Sequence, residues 1–154
     1  MSIILSTADE CILLAMTEKN CKYVSDLNAS IPAEIIHMTF AAPGETYADS
    51  LKRLIGKRYL VSQVLNQYEI TEMGKGCADR LLAINQRVDI TPQMSLAYAS
   101  LMTQANGGPL PKLAALRELE GLGHRGNEGL LILRNLWLKN LIKPTGSGII
   151  VLNT

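Results

Sequence analysis

At 154 residues the chain has room for one ordinary domain or two small ones sharing a core. Its composition, 47% hydrophobic and 19% charged with a formal net charge of +1, supplies a core and excludes a histone-like polycation. The start MSIIL runs straight into Ser6, Thr7, Asp9 and Glu10, which is not a signal-peptide pattern, and no apolar run approaches the roughly 20 residues of a membrane helix.

The first element is a helix from Thr7 to about Lys19. T-A-D-E predicts a capping box between Thr7 and Glu10, and Ala8, Cys11, Ile12, Ala15 and Met16 share one face at 3.6 residues per turn. Lys22-Tyr23-Val24 reads as a short extended stretch, with Ser25 capping a brief helix that carries Leu27. Pro32 starts a further turn with Ile35, Ile36 and Met38 before Ala42-Pro43-Gly44 breaks the chain.

Thr46, with Asp49 three residues on, caps a helix whose expected buried stripe is Tyr47, Leu51, Leu54 and Ile55. The opposite face then presents Ser50, Arg53 and Lys57, with Lys52 at its edge. The period changes beyond Lys57: Tyr59 to Val64 and Tyr68 to Thr71 read as two strands of a hairpin joined near 65–67. A helix from Thr71 or Glu72 to about Asn85 follows, burying Cys77, Leu81 and Leu82.

After a polar connection, Met94 to Gln104 is helical and stops at Asn106-Gly107-Gly108-Pro109. A helix from Pro111 to Glu120, the stretch GLGHRG, a helix from Asn127 to about Asn140, and a terminal hairpin around a Pro-Thr-Gly-Ser-Gly turn complete the chain. GLGHRG has the glycine spacing of a dinucleotide fingerprint, but it follows a helix instead of a strand, and Lys143 and Pro144 stand where a ribose-binding acid belongs. It reads as a turn between helices, with Asn127 as the N-cap.

LKRLIGKRYL at 51–60 and LRNLWLKNLI at 133–142 match at an offset of 82 residues in Leu51/Leu133, Leu54/Leu136 and Lys57/Lys139. The same offset carries Tyr68 and Ile70 onto Ile150 and Leu152, and the order helix, turn, helix, hairpin repeats as well. Residues 7 to about 84, through KYVSDL, YADSLKRLIGKRYLV and YEITEMGKG, resemble the winged helix-turn-helix domains of MarR-like and PadR-like bacterial regulators. The family's Y-x-L-T-x-x-G is filled here by Tyr68, Ile70, Thr71 and Gly74. Residues 93–154 resemble the same unit less closely, and residues 30–44 stand where the family has a short turn. The expected fold is mainly α with small β-hairpins (α+β), a tandem winged helix-turn-helix with domains at 1–89 and 90–154.

The resemblance implies contact with double-stranded DNA through Thr46, Ser50, Lys52, Arg53, Lys57 and Arg58. Ser50 and Arg53 would reach base edges, Arg53 as a fork on guanine, and Lys52 and Lys57 would meet phosphates. The competing reading of that face is solvated helix, with Asp49 paired to Arg53. Residues 62–67 contain no Lys or Arg, so wing contacts would fall to Gln63, Asn66 and Gln67.

Residues 90–154 hold six Lys/Arg against three Asp/Glu, and residues 1–89 nine against eleven, so any polyanion contact is local. In the second unit Arg125, Arg134 and Lys139, with His124, are candidate phosphate contacts. The nearly all-apolar helix around them implies core or a dimer interface through Leu131, Trp137 and Leu138. Cys11, Cys21 and Cys77 form no C-x-x-C, and His37 and His124 have no partners in sequence, so we expect reduced thiols in a cytoplasm, no metal, no cofactor and no enzyme. Two functions compete: a sequence-specific regulator of transcription, or of replication in a mobile element, acting as a dimer; and a protein-interaction adaptor that does not touch DNA. The sequence leaves open whether an effector ligand binds.

Overall fold

The computed structural model describes residues 4–18, 33–63, 67–87 and 90–152. The expected strand at 22–24, the brief helix from Ser25 and the wing residue Asn66 lie outside them. Seven helices and two antiparallel hairpins make the described chain mainly helical, an α+β protein. It divides into two compact units, Met1–Ile84 and Asn85–Thr154.

In the first unit, α1 (Thr7–Glu18) starts one residue earlier in its cap than expected. The Ser6 hydroxyl accepts from the Asp9 amide at 3.2 Å, and the Asp9 carboxylate accepts from the Ser6 amide at 3.0 Å. Thr7 is therefore the first helical residue, and Asp9 takes the place expected for Glu10. Every residue from 11 to 16 is buried, so Leu13 and Leu14 join the predicted face and α1 runs through the middle of its core instead of lying upon it.

α2 (Ala33–Phe40) occupies most of the segment expected as an insertion, burying Ala33, Ile36 and Phe40 and leaving Met38 exposed. Residues 41–46, turning at Gly44 with φ +83°, lead into α3 (Tyr47–Gly56). Its capping box is the predicted one: the Thr46 hydroxyl accepts from the Asp49 amide at 3.1 Å, and Asp49 accepts from the Thr46 amide at 3.4 Å.

The exit from α3 is a Schellman motif: the Arg58 amide donates to Ile55 O at 2.9 Å and the Tyr59 amide to Leu54 O at 2.9 Å, with Arg58 left-handed at φ +63°. The chain then enters β1 (Leu60–Ser62), which pairs antiparallel with β2 (Tyr68–Ile70), Leu60 facing Ile70. The T-x-x-G that follows has a physical reason. Thr71 Oγ1 donates to Arg58 O at 2.6 Å and accepts from the Gly74 amide at 3.0 Å, so one hydroxyl ties the α3 exit to the start of α4 (Glu72–Arg87). Gly74 lies so close to that corner that a Cβ would stand 2.4 Å from Tyr59 O, which is why its glycine starts the helix instead of weakening it.

In the second unit, Thr91 caps α5 (Pro92–Ala105), accepting from the Met94 amide at 3.1 Å, with proline in the first turn. Leu110 forms an isolated antiparallel bridge with Ile149, with N–H···O distances of 2.8 and 2.7 Å. α6 (Lys112–Gly121) ends at Gly123, φ +98°, where the His124 amide donates to Leu119 O at 2.9 Å. α7 (Asn127–Leu138) has Gly126, φ 58° and ψ −127°, as its N-cap. Asn127 is the first helical residue and not the cap, because the left-handed corner that precedes the helix suits glycine.

β3 (Ile142–Thr145) pairs with β4 (Gly148–Val151), Ile142 facing Val151. The α7 exit repeats the α3 exit bond for bond, 82 residues later. The Leu141 amide donates to Leu136 O at 2.9 Å, the Asn140 amide to Trp137 O at 3.0 Å, and Asn140 is left-handed at φ +61°. The offset changes in the returning strand, because the Thr71 to Tyr59 bond corresponds to Leu152 to Leu141. The second hairpin is thus one residue shorter, and Ile70 corresponds to Val151, not to Leu152.

Candidate functional site

α3 is the element on which the expected site stands, and its orientation differs from the one its apolar spacing predicts. Leu54 is buried as expected, but so is Ser50, while Ile55 is 38% exposed. The outward residues are Ala48, Asp49, Lys52, Ile55 and Gly56. Ser50 and Arg53, expected to reach bases, face inward.

The cause is an ionic cluster. Arg53 Nε donates to Asp9 Oδ2 at 2.6 Å, and Nη2 donates to Asp9 Oδ1 at 3.1 Å and to Glu45 Oε2 at 2.7 Å. The same nitrogen approaches Ser50 Oγ at 3.4 Å. The Asp9 side chain is 0% exposed, and that of Arg53 27%. A fully buried carboxylate requires a cation and hydrogen bonds, and α3 rotates to bring Arg53 to it. The Asp9 hydrogen bond, foremost, holds the Arg53 guanidinium more firmly protonated than usual. Arg53 is therefore a clamp between α1 and α3 and not a guanine fork, and the anticipated Asp49 pairing gives way to Asp9 and Glu45. Sequence reasoning missed both acids, although Ser6-x-x-Asp9 ahead of an apolar run was a visible capping signal.

Nearby, the rings of His37 and Tyr47 lie 5.6 Å apart, and burial, with Glu34 adding, pushes the Tyr47 hydroxyl well up from its ordinary value.

Of the remaining cations on α3 and its exit, two are outward. Lys52 is exposed, Lys57 is the half-buried C-cap of α3, and Arg58 is exposed at the left-handed corner. Thr46 is exposed but holds the capping box. On the hairpin Gln63 is exposed, with Nε2 donating to Glu69 Oε2 at 2.9 Å, and Val61 is 41% exposed.

In the second unit Arg125 is exposed ahead of α7, whereas Arg134 and the C-cap Lys139 are half-buried. His124 is buried, its Nδ1 2.9 Å from Glu128 Oε1, so that ring is engaged within its own unit. Of the expected interface residues, Leu131 is 37% exposed, Leu138 half-buried and Trp137 buried. Trp137 belongs to the core of its unit.

Among the described residues no group of three or more His, Cys, Asp or Glu could hold a metal, and no helix is long and apolar enough to cross a membrane. Comparison with protein-family models, curated proteins and solved structures finds no match to this chain.

Proposed function

We propose that the chain is a tandem winged helix-turn-helix protein whose first unit binds double-stranded DNA and thereby regulates transcription, or replication in a mobile element, in the cytoplasm. The observation that carries the fold reading is the repeated succession α2, turn, α3, Schellman exit and hairpin in one unit and α6, turn, α7, the same exit and hairpin in the other. The Leu110–Ile149 bridge, between α5 and α6, adds the short strand contact that a winged helix makes with its wing.

For DNA, the supporting feature is an outward α3 face bearing Lys52 and leading to Lys57 and Arg58. With Arg53 and Ser50 turned inward, those three cations contribute mainly phosphate contacts, and base reading falls to the small outward residues near the α3 start, where Ala48 suits a thymine methyl.

The test is binding to a random duplex library by fluorescence anisotropy across a salt series, with sequencing of the bound fraction. Three phosphate contacts give a slope of log K against log salt of about −3 per bound unit. A flat, salt-insensitive signal with no enriched site overturns the reading.

The adaptor reading has its own observation. Ile55 and Val61 are exposed on α3 and on the hairpin that follows it, and the described hairpin residues carry no Lys or Arg. Its signature is a stoichiometric protein partner lost on Ile55→Asp.

A further inference from the structure

Two glycines stand near the start of α4, and packing explains only one of them. A Cβ on Gly74 would collide with Tyr59 O, whereas one on Gly76 would meet only Arg80 Nη1, at 3.7 Å. Glycine inside a helix is destabilising relative to alanine, and here no turn or close approach requires it. What Gly76 leaves is room. It lines a cleft of about 360 Å³ with Tyr59, Glu72, Met73 and Arg80, a volume within the range of small-molecule sites. Glu72, Met73, Gly76 and Arg80 share one face of α4 at helical spacing, and Tyr59, at the corner between α3 and β1, supplies the other wall. The two walls are tied together, because the Tyr59 hydroxyl and the Arg80 guanidinium both interact with the Cys77 thiol.

We infer that this cleft binds a short apolar peptide with free termini, about three residues long, with its ammonium at Glu72 and its carboxylate at Arg80. Charge and length select this occupant. The lining holds one acid and one base, with an apolar middle made of the Met73 side chain and the Tyr59 ring. A polyanion meets Glu72 and a polycation meets Arg80, so neither is favoured, and a neutral apolar ligand leaves both charges unused. Glu72 and Arg80 are eight positions apart on the helix, a rise of about 12 Å. An extended tripeptide spans roughly 10 Å, so its two ends reach both side chains where a single amino acid reaches one. Glu72 is available, since its pairing with Lys75 is a 3.6 Å contact on a side chain 94% exposed, and such surface pairs hold weakly. Arg80, also exposed, offers a fork that matches a carboxylate. Gly76 lies between the two in sequence, where the absent side chain lets the peptide backbone approach the helix. About twenty heavy atoms in an open cleft give a dissociation constant of about 0.1 mM. The inference stands whether or not the first unit binds DNA.

The experiment is titration of the isotope-labelled full chain with the tripeptide alanyl-leucyl-alanine, followed by backbone amide shifts in NMR. The expected result is saturable movement of the Tyr59, Met73, Gly76 and Arg80 signals with a midpoint near that dissociation constant. The same peptide with its amine acetylated and its carboxyl amidated is expected to bind roughly tenfold more weakly. Gly76→Ala fills the cleft with a methyl group and meets no close neighbour, so it should raise the melting temperature by about 4 °C and yet weaken binding roughly tenfold. Arg80→Gln is expected to weaken binding roughly fivefold with the far-UV dichroism unchanged. A peptide that leaves those signals unmoved at about 5 mM overturns the inference. So does a blocked peptide that binds equally well, or binding that survives both Gly76→Ala and Arg80→Gln.

Discussion

Replacing Arg53 by alanine separates a structural role from a DNA-reading one. The substitution removes the only cation hydrogen-bonded to Asp9 among the described residues and the partner of Glu45. Breaking a buried ion pair from one side costs about 3–5 kcal/mol, because the surviving charge stays desolvated. The Arg53 side chain is 27% exposed, so water entering the gap recovers part of this and the lower end applies, about 3 kcal/mol. At about 4–8 °C per kcal/mol for a unit of this size, the melting temperature of the first unit falls on the order of 15 °C.

Urea unfolding should be followed by far-UV dichroism, to which the helices of both units contribute, and by fluorescence of Trp137, the single tryptophan, which reports the second unit. We expect the dichroism transition to begin at lower urea while the Trp137 transition stays near its wild-type midpoint. Lys52→Ala, on the same helix but exposed, is the control and changes stability by less than about 0.5 kcal/mol. An Arg53→Ala protein that unfolds with wild-type energetics yet loses DNA affinity refutes the clamp and returns Arg53 to the bases.

Gly74→Ala drives a Cβ to 2.4 Å from Tyr59 O and 2.8 Å from Ile70 Cγ1; we expect about 2–3 kcal/mol lost in chemical denaturation, against a gain near zero for the open Gly121→Ala. The Asp49 carboxyl is held below its ordinary value of 3.8 by the Thr46 hydroxyl first and the Thr46 amide second. Its contribution is therefore complete above that pH and fades as pH falls through the lower folded value, so Asp49→Asn should lower thermal stability slightly at neutral pH, leave it little changed in acid, and so flatten the acid limb. Burial, as the largest cause, pushes the Cys77 thiol up, so in a Cys21→Ser background it should react with Ellman's reagent more slowly than free cysteine at pH 8, with Cys11 silent until unfolding.

Local signals in the sequence were legible where one residue type meets one backbone demand. The Thr46 cap, the stop at Asn106, the hairpin after α3 and the turn at GLGHRG all depend on neighbours within a few positions, and the hairpins formed around the predicted segments. The face of α3 was not legible, because apolar spacing places Ile55 inward while the decisive partner, Asp9, lies 44 positions away in sequence. The same long-range pair explains the shifted cap of α1, since Asp9 serves the Ser6 amide and Arg53 together. Trp137 was read as an interface residue from its apolar surroundings, which indicate burial but not against what; the core of its own unit supplies the answer. The register of the second hairpin slipped by one because a loop one residue shorter leaves no mark in residue type.

Asp9 also couples the burial of α1 to the presence of α3. The apolar helix α1 carries a carboxylate that its folded surroundings leave entirely dry. Its counter-ion lies 44 residues further along the chain, so burying α1 with Asp9 ionised requires α3 to be packed against it. The first unit therefore couples the closing of a long loop to the neutralisation of a buried charge, and burial of α1 without α3 would have to proceed with Asp9 protonated.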